Sequence, residues 1–137
     1  MKYTSKGGLP NKKFIALLLF VLVLSGCAAQ SEKASYRQVS TDEAINIMKE
    51  EKDYIILDVR TPEEFKSKHI PGAINIPNET IGTEEIPELP DKEQLIMIYC
   101  RSGNRSKQAA EKLAAQGYTN IVEFGGINDW TGETVTE

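Results

Sequence analysis

Along this chain the apolar positions fall into short continuous runs, separated by stretches in which they recur at helical spacing. Tyr54 to Val59 and Leu95 to Tyr99 are runs of the kind a parallel strand requires when both faces of its sheet are covered. Ala73 to Ile76 and Ile121 to Phe124 are shorter versions of the same signal. Between them the period changes. Ala44, Ile45, Ile47 and Met48 form one apolar stripe, and Ala109, Ala110, Leu113 and Ala114 form another whose small residues suit close packing on a sheet.

Local punctuation agrees with these assignments. Ser40 to Glu43 and Thr61 to Glu64 both have capping-box spacing, and Pro62 is pre-set for a first helical position. Gly117 is a natural left-handed stop for a helix running from about Asn104 to Gln116. Pro77 to Lys92 is rich in Pro and Glu and predicts a loop with one helical turn. Gly125 and Gly126 turn the chain into a last helical segment around Trp130. Strands alternating with helices, with no hairpin signals, predict an α/β domain whose largely parallel central sheet is covered by helices on both faces.

The first 26 residues stand apart. Lys2, Lys6, Lys12 and Lys13 precede an apolar run from Phe14 to Leu24, and Ser25, Gly26 and Cys27 follow it. That order predicts a secretory signal. A helix rises 1.5 Å per residue and needs about 20 residues to cross a bilayer, so this run is too short for a permanent span. Ala28 to Ser35 is small and polar and predicts a tether. The expected organisation is a removed segment at 1–26, an anchor residue and tether at 27–35, and one domain at 36–137.

Charge and cysteine content narrow the chemistry. The chain has 16 basic and 20 acidic residues, and four of the bases lie ahead of Cys27 where there is no acid. A domain this acidic does not suit nonspecific nucleic-acid binding, and no nucleic-acid partner is expected. Two cysteines and one histidine do not make a zinc site or a disulfide framework, so neither a metal nor another cofactor is expected. The acidity has one local exception: Arg101, Arg105 and Lys107 surround Cys100 with no acid among them.

Cys100 sits where the apolar strand Leu95 to Tyr99 ends, and ligands of α/β sheets bind beyond the carboxyl ends of strands. Arg101, Ser102, Gly103, Asn104 and Arg105 form a loop whose backbone N–H groups can curl around one point, and the next helix directs its positive end there. A free thiol is only a few per cent ionised at neutral pH, and each unit of lowering needs about 1.4 kcal/mol. A helix terminus contributes about 0.3 to 2 kcal/mol, so the loop donors and the arginines must supply the remainder. An inert core cysteine is the competing reading, but core packing calls for neither two arginines nor a Gly-Asn pair. Asp58 and Arg60, at another strand end, are expected to pair with each other or to contact the loop. His69 is expected to order the Pro71-Gly72 turn, and Trp130 to be core or pocket wall.

Several blocks in order carry a resemblance. Leu57 to Arg60 with Glu63 to Phe65, His69 to Pro77, Tyr99 to Ser106, Gly117 to Ile121 and Gly125 to Trp130 together resemble a single-domain rhodanese across Ser35 to Trp130. The resemblance implies a central parallel sheet of about five strands, Cys100 as the sulfur carrier, a loop from Cys100 to Arg105 that cradles a persulfide, and Arg101 and Arg105 as holders of anionic groups. Phosphatases and arsenate reductases of similar architecture place five residues between cysteine and arginine. Four lie between Cys100 and Arg105, which by the resemblance suits a terminal sulfur and disfavours phosphate. Leu24 to Cys27 likewise resembles the lipobox of bacterial lipoproteins, which implies export and attachment of a membrane anchor at Cys27.

The expected activity is therefore transfer of sulfane sulfur from thiosulfate or a persulfide to cyanide or a thiol through a Cys100 persulfide, with a protein persulfide as a possible partner. Two other classes stay open on the sequence: a noncatalytic binding module of the same fold, and a thiol-dependent redox enzyme or arsenate reductase.

Overall fold

The computed structural model describes residues 35–137; the stretch 1–26 expected to be a secretory signal, and Cys27, lie outside them. Side-chain caps set where the first two helices begin. Ser40 accepts from the Glu43 N–H and opens α1, Thr41–Glu50, although the return bond that would complete its box does not form. At α2, Pro62–Ser67, the box closes: Thr61 Oγ1 accepts from the Glu64 N–H while Glu64 Oε2 accepts from the Thr61 N–H. The third helix, α3, spans Asn104–Ala115 and is followed by Gly117 at φ +94°.

Five strands make one sheet: β1 Arg37–Gln38, β2 Tyr54–Asp58, β3 Ile74–Asn75, β4 Leu95–Cys100 and β5 Ile121–Gly126. Their order is β1-β5-β4-β2-β3, and every pairing is parallel. β1 has no counterpart in the apolar pattern. Both its residues are exposed, and it exists because β5 has an edge to pair. β3 is two residues long, shorter than the run Ala73 to Ile76 predicts. The predicted helical turns are 3₁₀ segments, Asn78–Thr80 and Ile127–Asp129.

The central strand β4 divides the core by alternation. Ile96, Ile98 and Cys100 join Ala109, Ala110 and Leu113 of α3 on one face. Met97 and Tyr99 join Ala44 of α1, Val122 and Phe124 on the other. Complete burial of one such aliphatic side chain contributes roughly 1.5 to 3 kcal/mol. The stretch between β3 and β4 is a loop in backbone but not in packing. Ile81 and Leu89 are buried against the α3 face, and Tyr118 Oη donates to Leu89 O at 2.6 Å, so this segment closes the core that α3 leaves open.

Candidate active site

The β4–β5 register brings the site together. Ile98 pairs with Glu123 and Cys100 with Gly126, with a shift of register between Ile98 and Cys100. Such an irregularity re-aims the side chain that follows it. Cys100 ends β4 on the α3 face, and the chain turns through Arg101 and Ser102 to Gly103, whose φ of +110° caps the amino end of α3. A side chain at Gly103 would be strained in that left-handed conformation.

This turn aims hydrogen-bond donors at the sulfur. Gly103 N–H donates to Cys100 Sγ at 3.0 Å, and Ser106 Oγ lies 3.4 Å from it. Burial alone would raise the thiol pKa, since Cys100 is 1% exposed. Ser106 and the backbone N–H groups of Ser106, Gly103 and Ser102 outweigh that effect, and the thiol is held below its ordinary value. The net direction favours thiolate, the nucleophilic form.

The two arginines of the loop are placed differently. Arg101 is exposed and its carbonyl accepts from the Asn128 N–H. Arg105 makes a two-pronged ion pair with Glu64, Nη1 to Oε2 at 2.7 Å and Nη2 to Oε1 at 2.9 Å. Glu64 thus caps α2 and anchors an active-loop arginine with one carboxylate, a double role that capping-box spacing does not reveal. Asn104 is exposed at the first position of α3, and Ser102 is exposed in the turn.

Arg105 holds the Glu64 carboxyl at about 2, against an ordinary 4.5. A carboxylate lowered in the folded state stabilises above its unfolded value and loses that contribution as pH falls through its folded one. The effect is on the order of 1 kcal/mol, because both partners keep contact with solvent. Glu64→Gln is therefore expected to lower the Tm above pH 4.5. The gap from the parent should close as pH falls towards 2, which thermal unfolding at a series of pH values will measure.

Asp58 and Arg60 are buried and satisfy each other, with Arg60 Nη2 at 2.5 Å from Asp58 Oδ2 and Arg60 Nη2 also donating to Lys68 O. Their described hydrogen bonds tie β2 to the segments that follow it, and none reaches the loop at 100–106. Burial opposes charge on Arg60, but the bonds and attraction to Asp58 leave its pKa above the ordinary value. His69 stacks on Phe65 with ring centroids 3.8 Å apart, its Nδ1 is 2.8 Å from Phe65 O, and its backbone pairs with Val135. Trp130 packs beside Phe124 on the α1 face and donates to Glu133 O.

Three residues to which the sequence motifs assign no role lie against the loop or the sulfur's hydrogen-bond partners. Gly126 lies so close to the loop that a Cβ there would fall 2.0 Å from Arg101 O and 2.5 Å from Ser102 N. Ser106, at the third position of α3, faces the sulfur. Glu123 is 2% exposed on β5, where its strand otherwise carries core residues, and Oε1 accepts from Ser106 Oγ at 2.6 Å and from the Gly125 N–H at 2.8 Å. An acid in an apolar strand is the one sign of it in the sequence. A broad hollow at the other end of the sheet, among Tyr36, Glu50, Glu51, Asp53 and Glu93, is acidic and contains no cysteine.

A thiol at the carboxyl end of the central strand, with N–H donors at the start of a helix around it, defines a thiol-centred α/β domain whose loop favours the anionic form of that sulfur. Residues 40–133 match the rhodanese-like domain family, and the chain belongs to it. Among characterised relatives it is 40% identical to thiosulfate sulfurtransferase PspE of Escherichia coli, over 53% of this chain and 70% of that protein. It is 31% identical to thiosulfate sulfurtransferase GlpE of Coxiella burnetii, over 69% and 87%. A putative sulfur carrier protein YrkF of Bacillus subtilis is 36% identical over 76% of this chain, and the match spans 51% of that longer protein. Among solved structures, an E. coli rhodanese with anions superposes with a TM-score of 0.57 at 38% identity, covering 61% of this chain and 99% of the other. A rhodanese-like domain protein from Staphylococcus aureus superposes at 0.62 with 34% identity, covering 74% and 98%.

Proposed function

We propose that this protein is a sulfurtransferase that moves sulfane sulfur from thiosulfate or a persulfide to cyanide or a thiol, carrying it as a persulfide on Cys100. The observation that supports this reading most is the short loop whose N–H groups converge on Cys100 Sγ. The thiolate attacks the outer sulfur of the donor, the S–S bond of the donor breaks, and sulfite or a thiol leaves with the bonding pair. The acceptor then attacks the terminal sulfur of the Cys100 persulfide and returns the thiolate. During both steps charge resides on sulfur, and the donors at Ser102, Gly103 and Ser106 are already aimed at it.

Arg101, exposed beside the loop, is the group that meets an anionic donor such as thiosulfate. Arg105 is the second, and reaches an anion by exchanging part of its contact with Glu64. The four residues between Cys100 and Arg105 favour a single terminal sulfur over a tetrahedral oxyanion. Two half-reactions through a covalent intermediate predict ping-pong kinetics with thiosulfate and cyanide. Parallel assays with arsenate and a thiol reductant separate this reading from an arsenate reductase: thiosulfate turnover well above arsenate turnover is expected, and the reverse ranking would refute it.

For the amino-terminal segment we propose removal of residues 1–26 and lipid attachment at Cys27, which would place the domain outside the cytoplasm on a membrane. The support is the order of lysines, apolar run and Leu24 to Cys27. Acyl chains contribute about 0.8 kcal/mol per buried CH₂, so two or more hold a protein stably. Cys27→Ser is expected to shift the protein from the membrane to the soluble fraction of lysed cells. Unchanged fractionation would rule the anchor out.

A further inference from the structure

The fork of Arg105 that an oxyanion would occupy is already filled. Glu64 takes both Nη groups, Nη1 to Oε2 at 2.7 Å and Nη2 to Oε1 at 2.9 Å, in the two-pronged geometry that arginine also offers to phosphate-like anions. The carboxylate is held in place from behind. Its Oε2 accepts from the Thr61 N–H at 3.0 Å while Thr61 Oγ1 accepts from the Glu64 N–H, so α2 would lose part of its cap if Glu64 swung away. An anion from solution therefore gains Arg105 only by leaving the Glu64 carboxylate without its partner, and an unpaired charge of that kind works against the ligand that creates it.

Charge around the sulfur points the same way. Glu64 is ionised at neutral pH, its carboxyl lying at about 2. Glu79 is exposed on the 3₁₀ segment Asn78–Thr80. That segment is tied to α3 through Asn78, which accepts from Lys112 Nζ and donates to Gln108 Oε1. The hydrogen bonds of Glu64, opposed in part by burial, and then the charges of Glu64, Cys100 and Glu79 hold Arg105 above its ordinary pKa. Arg101 and Lys107 are exposed, and neither belongs to a described ion pair. The loop and the first turn of α3 thus carry three cations, against two neighbouring carboxylates and the Cys100 thiolate. The approach to the sulfur is close to neutral, although Arg101, Arg105 and Lys107 read in sequence as a basic cluster.

Such an approach treats sulfur donors unequally. Thiosulfate brings two negative charges towards a thiolate and two carboxylates, and the cation best placed to offset them is engaged. An organic persulfide brings at most one charge beside its outer sulfur and makes no demand on the fork of Arg105.

We propose that Glu64, with Glu79 adding to its effect, selects sulfur donors by charge, and that the substrate class of this site is an organic persulfide in preference to dianionic thiosulfate. The inference rests on persulfide transfer through Cys100 and names the donor. The Cys100 thiolate attacks the outer sulfur of R–S–S–H, the S–S bond of the donor breaks, RS⁻ leaves with the bonding pair, and Cys100 carries S–S–H. Atoms and charge balance without another reactant. Glu64 acts through Arg105 and is a positioning residue.

Two small donors that differ by one charge test this. Methanethiosulfonate, CH₃SO₂S⁻, is thiosulfate with one O⁻ replaced by methyl, and each gives up its outer sulfur to a thiolate. kcat/KM for both donors, with cyanide as acceptor, will be compared in the parent, Glu64→Gln and Glu79→Gln. Gln at position 64 keeps an oxygen for the Thr61 N–H and removes the charge. The ratio of thiosulfate to methanethiosulfonate is expected to rise roughly threefold to tenfold in Glu64→Gln, the scale of one partly screened charge nearby, and by a smaller factor in Glu79→Gln. A merely structural role would lower both donors together and leave the ratio unmoved. An unmoved or reduced ratio in Glu64→Gln overturns the proposal, and should that variant not fold, an unmoved ratio in Glu79→Gln does the same. The rise should shrink in 1 M salt, where the Debye length falls to about 3 Å; a rise of equal size at low and high salt would mean a change of shape and would also contradict selection by charge. The parent is further expected to load sulfur faster from glutathione persulfide than from thiosulfate at equal concentration, and the reverse order would refute the donor class. A parent that takes sulfur from none of these donors refutes persulfide transfer itself, whereas one that takes sulfur with a ratio indifferent to Glu64 refutes this inference alone.

Discussion

Cys100→Ser is expected to lose sulfur transfer from thiosulfate by at least about three orders of magnitude, the scale on which removal of an essential nucleophile acts. The hydroxyl that replaces the thiol is smaller and far less acidic, so the loop donors gain no anion to stabilise. Fold should be retained, because oxygen for sulfur at this buried position changes little volume and Ser106 and the Gly103 N–H remain as partners. Turnover with thiosulfate and cyanide, alongside a thermal unfolding curve, checks both parts. Activity within tenfold of the parent would place the chemistry elsewhere.

The second large effect comes from a residue with no reactive group. At Gly126 an added methyl would overlap the Arg101 carbonyl and the Ser102 nitrogen, with Arg101 O at 2.0 Å and Arg101 C at 2.3 Å. These are backbone atoms and no rotamer change relieves them, so Gly126→Ala must displace the loop itself. Displacing catalytic geometry by about 1 Å can reduce rate about a hundredfold, and a loss of at least that size is expected. Gly82→Ala is the matched control. It has open space around its built Cβ and an unremarkable φ, and should leave turnover unchanged. If Gly126→Ala retained full activity, the close approach of β5 to the loop would not matter for function.

Much of the fold was legible because its causes are local. Tyr54 to Val59 and Leu95 to Tyr99 read as covered strands, and they are β2 and β4. Thr61, Pro62 and Glu64 read as a helix start and form a complete box. What stayed hidden depends on partners distant in the chain. Arg37 and Gln38 carry no apolar signal, and they become β1 only because Val122 and Glu123 offer an edge. Ile81 and Leu89 sit in a stretch that reads as loop, and only the packed α3 face shows that they belong to the core.

The site divides in the same way. Cys100 and the turn to Arg105 are contiguous, so they stand out as a candidate site from residue types and a strand end. Glu64, Glu123 and Gly126 reach the loop through a helix start and through the β4–β5 register, neither of which leaves a contiguous motif. For Asp58 and Arg60 the sequence allowed either a mutual pair or contact with the loop, and geometry distinguishes the two: their bonds stay between themselves and the segments flanking β2.

Underlying all of this is one claim, that the turn after β4 holds a sulfur anion and admits a further sulfur atom. Intact-mass measurement of the purified domain after exposure to thiosulfate tests it most directly. The account predicts a gain of one sulfur atom in the parent, its removal by cyanide, and no gain in Cys100→Ser. An unchanged parent mass across thiosulfate and persulfide donors, or the same increment in Cys100→Ser, would contradict it.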